Sequence, residues 1–320
     1  MKRIFFMAAV GGLCLAGNAA TLRVNNAANT AAEFNNVDAA LEAAQDGDVI
    51  IIEPSSTSYG NFYVRKKVTI KGGGYLLDVN DISYEGAAAS QADDITVYAA
   101  GTTITGMECN NITLAPGANN VIITRNHIKK EISLGGTFGY DYTDENAITG
   151  TIIHQNLLFY ITGPQYGAQP TGLQITNNIL PYSYGAETLV MRIRNSVIKY
   201  NTYGSDSACA FRWVNNCVFE NNLGGQPEKA EGKDNTFRNN HPGGDANLYK
   251  GTKTSQLYVP DSQFKDVDAT ISTEHGAFAG ETPYVLSGVP AGPVIIDLDL
   301  PTAVEKGEEL KVAVTIGTQK

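Results

Sequence analysis

The chain has 320 residues, a formal net charge of −10 and 33 glycines, and only 18 % of its residues are charged. A low charge content with many glycines suits stacked strands joined by tight turns, and the length is sufficient for one large solenoid. The acidic balance argues against nucleic acid as a main partner, because phosphate binding requires a basic surface.

Residues 1–20 have the pattern of a targeting segment. Lys2 and Arg3 supply a charged start, an apolar stretch follows, and small residues allow cleavage after Ala19 or Ala20. The apolar stretch is too short to span a bilayer, and the sequence contains no other long apolar run. We therefore expect an exported protein, secreted, periplasmic or at the cell surface, with no membrane span after cleavage.

Residues 21–48 are predicted to form an N-terminal cap made of a strand and a short amphipathic helix. The apolar residues of the helix share one face: Phe34, Val37, Leu41 and Ala44. Such a helix covers the apolar end of a solenoid that has no neighbouring coil. Asp46 and Asp48 could hold Ca²⁺, but no further oxygen ligands follow at a regular spacing. A turn is the favoured interpretation, and no cofactor is expected.

Residues 49–258 are predicted to form the solenoid itself. Its early strands are expected at 49–53, 68–71, 95–98, 103–107 and 112–114. Six later segments align without gaps and each ends in Asn: 120–126, 150–156, 172–178, 195–201, 216–222 and 234–240. A period of about twenty residues with one short β-type segment is the signature of a solenoid.

The repeated Asn has a physical role in such a stack. Coils lie about 4.8 Å apart, so an Asn at the same turn of each coil can bond its side-chain amide to the next. The pattern resembles the right-handed parallel β-helix proteins of the pectin-lyase-like superfamily over residues 22–290. The resemblance implies an all-β, right-handed parallel β-helix, but this fold carries many functions.

Residues 259–320 are predicted to be a C-terminal cap or extension. A lead rich in Gly and Pro precedes two strand-like segments at 294–300 and 310–316, which are expected to form one hairpin. An open solenoid end invites aggregation, so we expect this edge to be paired or covered.

Two features of the loops point to a binding side. Residues 135–145 are in excess of the period, and solenoids expel such residues as loops on one face. Tyr182 and Tyr184 lie between strands, where their rings could stack on sugar rings or simply cover the coil edges.

The alignment of the repeat segments also places charged residues above one another on successive coils. Two positions before each ladder Asn stand Thr124, His154, Thr176, Lys199, Glu220 and Arg238. The favoured interpretation is a surface ladder of opposite charges, each worth little. The functional interpretation uses Lys199 or Arg238 to bind a uronate and Glu220 as acid or base.

A second cluster combines Arg192 and Arg194 with Arg212 and Trp213. The alignment puts Arg192 beside Trp213 on the next coil, as a cation–π pair. The cluster could be purely structural, or it could bind an acidic sugar through its guanidinium groups and its indole. The candidate binding residues are Arg192, Arg212, Trp213, Tyr182 and Tyr184, and the weaker catalytic candidates are Lys199, Glu220 and Arg194.

No complete catalytic set of the superfamily's enzymes transfers to this sequence. Polygalacturonases carry Asn-Thr-Asp, but here Asn201 and Thr202 are followed by Tyr203. The four histidines show no metal-ligand spacing, and no metal site is expected. Three cysteines follow residue 20, so at least one thiol is free; Cys217 is expected to pack inward, although it could pair with Cys209.

Three functions remain open at this stage. The first is an exported β-helix that binds polysaccharide, a cell-surface glycan or another surface partner without turning it over. The second is a polysaccharide lyase or glycoside hydrolase for an acidic glycan. The third is a purely structural surface protein. The sequence does not define the oligomeric state.

Overall fold

The computed structural model describes most of the region in which the repeats lie. The described residues are 19–28, 30–78, 80, 88–135, 147–181, 189–204, 210–241, 273–289, 293–299 and 313–318. The predicted targeting segment up to residue 18 and Cys209 therefore lie outside the described residues, as do residues 136–146 of the predicted loop.

The described chain is almost entirely β-structure. Helix α1 spans Val37–Ala43, and short 3₁₀ turns lie at Pro227–Lys229 and Leu286–Gly288. The strands in chain order are β1 Thr21–Val24, β2 Val49–Ile52, β3 Phe62–Val64, β4 Thr69–Lys71, β5 Asp94–Val97, β6 Thr103–Thr105, β7 Glu108–Cys109, β8 Asn111–Leu114, β9 Ile122–Thr124, β10 His127–Leu134, β11 Ile152–His154, β12 Leu157–Thr162, β13 Gln174–Thr176, β14 Ile179–Leu180, β15 Val190–Arg194, β16 Val197–Lys199, β17 Thr202–Tyr203, β18 Phe211–Asn215, β19 Val218–Glu220, β20 Thr236–Arg238, β21 Pro293–Asp299 and β22 Ala313–Thr318.

Two long parallel sheets form a β-helix-like solenoid. Sheet A has the spatial order β1-β2-β4-β6-β9-β11-β13-β16-β19-β20. Sheet B has the order β17-β14-β12-β10-β8-β5-β3, and β15 joins it by pairing with β12 and β18, while β7 pairs with β10. The five early strands predicted from the sequence are confirmed as β2, β4, β5, β6 and β8, with ends within two residues of the predicted ones.

Each repeat segment begins and ends in a left-handed turn, which explains the polar residues at its ends. The first residue of each segment has a positive φ: Asn120, Gly150, Gly172, Asn195, Asn216 and Asp234. Glycine adopts this conformation without steric cost, and Asn and Asp tolerate it better than other residues. The residue before each terminal Asn also has a positive φ: Arg125, Gln155, Asn177, Tyr200, Asn221 and Asn239. These turns begin and end each repeated strand of sheet A.

The predicted asparagine ladder is confirmed. The Nδ2 of each Asn donates to the Oδ1 of the next at 2.9–3.1 Å, along Asn126, Asn156, Asn178, Asn201, Asn222 and Asn240. The first five of these side chains are fully buried. The apolar residue three positions before each Asn points into the core, where Ile123, Ile153, Ile175, Ile198 and Phe219 are fully buried.

Helix α1 confirms the predicted buried face at Val37 and Leu41, whereas Phe34 lies before the helix and forms a β-bridge with Val24. Asn36 caps its first turn by accepting the Ala39 backbone N–H at 2.8 Å, and the buried residues of the helix are Val37, Ala40 and Leu41. The Asp48 carboxylate accepts the backbone N–H groups of Gln45 and Ala20, and these bonds lower the pKa of Asp48. These two bonds show that the Asp48 side chain stabilises the turn after the helix.

The tail that was expected at the end of the solenoid lies in part along its side. We call residues 273–289 the strap. Gly276 N–H donates to the Asn221 carbonyl at 2.9 Å, and Arg125 Nη1 donates to the Val289 carbonyl at 3.3 Å. The strap therefore runs back from the last coils towards the first. The predicted hairpin is present as the antiparallel pair β21–β22.

Side chains of the left-handed turns hold the strap. Asn177 Nδ2 donates to the carbonyls of Ala277 and Ala279, at 3.0 and 2.9 Å. Gln155 Nε2 donates in the same way to the carbonyls of Thr282 and Pro283. Beneath the strap lies a second apolar cluster, formed by Tyr75, Leu157, Ile179, Ala277 and Tyr284. The strap thus buries apolar side chains that point outward from the solenoid.

Two further predictions concern thiols and membranes. Cys109 and Cys217 are buried, free thiols, which confirms the inward position of Cys217. Across the ranges given above, no helix has the length and apolar character needed to cross a membrane.

Candidate functional site

Arg192 and Trp213 lie side by side on adjacent strands, as the alignment predicted. Met191 pairs with Arg212 and Ile193 pairs with Val214 between β15 and β18, which places Arg192 opposite Trp213. The Arg192 Cζ lies 4.4 Å from the centroid of the Trp213 ring system, within cation–π range. The indole is 42 % exposed, so one aromatic surface of this pair reaches solvent.

The backbone at this pair departs from regular strand geometry. Arg192 has φ 57° and Trp213 has φ 53°, a left-handed conformation that bulky residues seldom adopt. Each such residue costs about 1–3 kcal/mol, and such strain clusters at functional sites. The irregularity puts two successive residues on the outside of each strand before Ile193 and Val214 turn back into the core.

Glycines flank the pair on the neighbouring coils. A Cβ on Gly163 would lie 2.0 Å from the Arg192 carbonyl oxygen, and a Cβ on Gly232 would lie 1.7 Å from the Val214 carbonyl oxygen. Only glycine fits where the backbones approach this closely. The backbones of adjacent coils are therefore packed closely beside the projecting Arg192–Trp213 pair.

Polar groups surround the indole. Gln169 Nε2 donates to the Trp213 carbonyl at 3.3 Å, and Gln169 Oε1 accepts from Asn215 Nδ2 at 3.2 Å. Tyr166, on the same connection, is 76 % exposed. The Gln169 and Asn215 amides thus hold the backbone beside the indole, and Tyr166 adds an exposed ring three residues before Gln169. Tyr182 and Tyr184, predicted as further binding residues, lie outside the described residues.

The other two arginines of the cluster have different environments. Arg212 Nε lies 3.7 Å from Glu231 Oε2, so part of its charge is compensated within the protein. Arg194 lies opposite Asn215 at the end of β15 and also bridges to Thr171. Arg192 is thus the member of the cluster that directly accompanies the exposed indole.

The charge ladder lies on the other sheet. Thr176 pairs with Lys199 and Lys199 with Glu220 between β13, β16 and β19, as predicted. Lys199 Nζ lies 3.3 Å from Glu220 Oε1, and about a third of each side chain is exposed. The Lys199–Glu220 candidates belong to sheet A, whereas Arg192, Arg194 and Trp213 belong to sheet B. The structure therefore separates the candidate residues into two clusters.

Sequence reasoning missed a row of hydroxyl groups on sheet B. Paired residues of successive coils form the column Tyr63, Thr96, Thr113, Ser133, Thr162, Met191 and Arg212, in which the three threonines are partly exposed and Ser133 is buried. The strand spacing is about 4.8 Å, a repeat comparable to the length of one sugar unit in an extended chain. The alternation of Thr with apolar residues was the available signal, but sheet B has no fixed period along the chain.

A second exposed aromatic cluster lies at the far end of sheet B. The Arg65 Cζ lies 4.2 Å from the Tyr98 ring centroid and 5.8 Å from that of Tyr63, which is 50 % exposed. Like the Arg192–Trp213 pair, this cluster combines a guanidinium group with an exposed aromatic ring. The sequence analysis did not predict it. It provides a control for any test of the pair.

Glu108 contacts two basic side chains near the strap. Its carboxylate oxygens lie 3.0 Å from His127 Nδ1 and 2.7 Å from Lys129 Nζ. Burial alone would raise the pKa of Glu108, but the hydrogen bonds and charges of His127 and Lys129 outweigh it and lower the pKa to about 2. The ionised carboxylate is therefore stabilised in the folded state.

This pKa predicts a specific acid sensitivity. Because the folded-state pKa is below the ordinary value, the stabilisation is present above about pH 4.5 and is lost as the pH falls towards 2. We expect the parent to lose up to about 3 kcal/mol more of its unfolding free energy over this range than Glu108→Gln. Urea unfolding at several pH values measures this difference. Parallel losses in the two proteins would contradict the assignment.

Comparisons of the chain with protein-family models, with curated proteins and with solved structures gave no match. The resemblance to β-helix proteins therefore rests on the repeat pattern and on the two parallel sheets.

Proposed function

We propose that the chain is an exported, right-handed parallel β-helix of the pectin-lyase-like type that binds a glycan at the Arg192–Trp213 pair without turning it over. The observation that supports this most strongly is the guanidinium 4.4 Å from the centroid of an indole that remains 42 % exposed. An aromatic surface beside a guanidinium group suits a sugar ring that carries a carboxylate.

The proposed ligand is acidic for an electrostatic reason. A polyanion is repelled by a protein with a net charge of −10, so binding requires a local positive patch. Arg192, Arg194 and Arg212 lie on two paired strands and supply such a patch, although Glu231 compensates part of it. We infer that Arg192 contacts a uronate carboxylate while Trp213 stacks on the ring.

The glycan is proposed to run along the solenoid axis. The column of sheet B leads from Thr96 and Thr113 to Thr162 and Arg212, one residue per coil, with Ser133, which is buried, and Met191 at the intervening positions. Hydroxyl groups can both donate and accept hydrogen bonds with sugar hydroxyls.

The remaining parts of the chain take supporting roles in this proposal. Helix α1 covers the first coil, the β21–β22 hairpin protects the other end, and the segment before Ala19 or Ala20 directs export. Binding is favoured over catalysis because the Lys199–Glu220 pair lies on sheet A, away from the strands that carry Arg192 and Trp213. A lyase or hydrolase would need its acid, base and binding residues around one sugar.

Calorimetry with a glycan panel tests the proposal. A uronate oligosaccharide is expected to bind the parent, and Trp213→Ala or Arg192→Ala is expected to weaken binding at least tenfold, about 1.4 kcal/mol. Added salt is expected to weaken it further, because exposed charge pairs are screened. Tyr98→Ala removes a partly exposed ring 4.2 Å from Arg65 that lies outside the column, and it serves as the matched control.

Two results would contradict the proposal. One is unchanged affinity in Trp213→Ala and Arg192→Ala together with a loss in Tyr98→Ala, which would move the site to the Arg65 cluster at the other end of sheet B. The other is product formation from the bound glycan, which would make the protein an enzyme.

A further inference from the structure

Two histidines meet where the strap begins. His241 follows the last repeat and bridges to Leu223, and His275 lies at the start of the strap beside Gly276. Their ring centroids are 5.7 Å apart with the planes at 66°. The contact joins residues that are separated by 33 positions in the sequence, which is why the spacing of the histidines gave no signal.

Both rings leave a nitrogen without a partner. The Nδ1 atoms of His241 and His275 are buried and have no hydrogen-bond partner. By contrast, His127 Nδ1 bonds to Glu108 and His154 Nδ1 bonds to Thr176. Buried polar atoms are nearly always satisfied, and an orphaned one indicates a missing water or ion. Two orphaned imidazole nitrogens in one contact indicate a shared ligand.

We propose that His241 and His275 form a two-histidine site for a divalent transition-metal ion of the Zn²⁺ class, which fastens the strap to the last coil. Neutral imidazole is a preferred ligand for such ions, whereas Ca²⁺ and Mg²⁺ prefer oxygen ligands. The site is separate from the Arg192–Trp213 pair and does not depend on glycan binding.

The distance between the rings fits a shared ion. A Zn²⁺ ion lies about 2.0–2.1 Å from a ligating nitrogen, which puts it about 3.2 Å from the ring centre. Two rings that share one ion therefore have centres up to about 6.4 Å apart, and the observed 5.7 Å is within this limit. The χ2 torsion of histidine is broad, so the rings can turn to aim both nitrogens at one point.

The protein supplies two ligands in this arrangement. In the described part of the chain, no three His, Cys, Asp or Glu side chains converge as a metal-binding group. Water completes the coordination, which leaves the site weaker than a four-ligand structural zinc site. The effect on the fold is still specific, because an ion held by both histidines binds only when the strap is docked and therefore stabilises the docked state.

The test uses the full chain without a polyhistidine tag, stripped with a chelator and dialysed. Calorimetry with ZnCl₂ at pH 7.5 is expected to show one saturable ion per chain, and Zn²⁺ is expected to raise the melting midpoint. His241→Ala and His275→Ala are each expected to abolish both effects. His154→Gln, a histidine whose Nδ1 already has a partner, is the matched control and is expected to keep them.

A second measurement uses only the parent protein, in case the variants do not fold. Zn²⁺ binding is expected to disappear at pH 5.5, because protonated imidazole cannot bind a metal, and CaCl₂ is expected to have no effect at either pH. Absence of Zn²⁺ binding to the parent at pH 7.5 would overturn the proposal. Equal binding to the doubly substituted protein, or a midpoint that responds to pH and never to Zn²⁺, would also overturn it.

Discussion

Asn201→Leu is expected to destabilise the protein by roughly 3 kcal/mol. Asn201 Oδ1 accepts both the backbone N–H and the Nδ2 of Asn178 at 3.0 Å, and its own Nδ2 donates to Asn222 Oδ1 at 3.1 Å. Leucine has a similar size but leaves the Asn178 backbone N–H and one N–H of its Nδ2 without an acceptor in a fully buried site, while Nδ2 keeps its bond to the Ile153 carbonyl. Each buried group left unpaired costs about 1–3 kcal/mol.

Urea unfolding measures the effect, and an exposed asparagine provides the control. Asn35 is exposed and accepts a single hydrogen bond, from Asn36. Asn35→Leu is therefore expected to change the unfolding free energy by less than about 0.5 kcal/mol. Equal small losses in the two variants would mean that the ladder does not stabilise the solenoid.

Ala277→Asp is expected to release the strap. Ala277 is fully buried, its N–H donates to Thr202 Oγ1 at 2.8 Å, and its carbonyl accepts from Asn177 Nδ2. An uncompensated charge at such a position costs roughly 3–5 kcal/mol, so undocking is expected to relieve it. The apolar side chains of Leu157 and Ile179 would then meet solvent.

Limited proteolysis and binding of an apolar dye measure this release. We expect faster cleavage within the strap and stronger dye fluorescence in Ala277→Asp, with a lower melting midpoint. Thr282→Asp adds the same charge at an exposed position of the strap and is expected to resemble the parent. Protease resistance of Ala277→Asp equal to that of the parent would show that the strap contributes no protection.

The sequence predicted sheet A better than sheet B for a physical reason. Each strand of sheet A in the repeat region lies between two left-handed turns, and the Gly, Asn or Asp at the first turn and the buried Asn after the second mark its ends. Sheet B has no such pair of markers, and its strands range from Ile179–Leu180 to His127–Leu134. The number of residues from one strand of sheet B to the next therefore varies along the chain. For this reason the row of hydroxyl residues could not be recognised in the sequence.

The strap and its histidines could not be predicted from periodicity. The strap docks through its own backbone carbonyls, which accept hydrogen bonds from Gln155 and Asn177, and carbonyl groups have no sequence signature. The His241–His275 contact depends on that docking. The hairpin was predictable because its strands carry their own alternation.

The candidate site was predicted in part. Counting back from the ladder Asn placed Arg192 beside Trp213 correctly, because β15 and β18 keep register with the repeats. The Arg212–Glu231 ion pair was not predicted, because Glu231 lies in an irregular segment after the last strand of sheet B. Lys199 and Glu220 lie on a different sheet from the arginines. The repeat segments describe only one of the two sheets, so they did not predict this separation.

The most direct test of glycan binding at this site is the fluorescence of the protein itself. Trp213 is the one tryptophan in the 320 residues, so its emission reports on the proposed site without interference from another indole. Titration with a uronate oligosaccharide is expected to change the intensity or wavelength of emission in a saturable, salt-dependent manner, while a neutral oligosaccharide of equal length has a weaker effect. A uronate ligand that binds by calorimetry and leaves the Trp213 emission unchanged would contradict the assignment of the site.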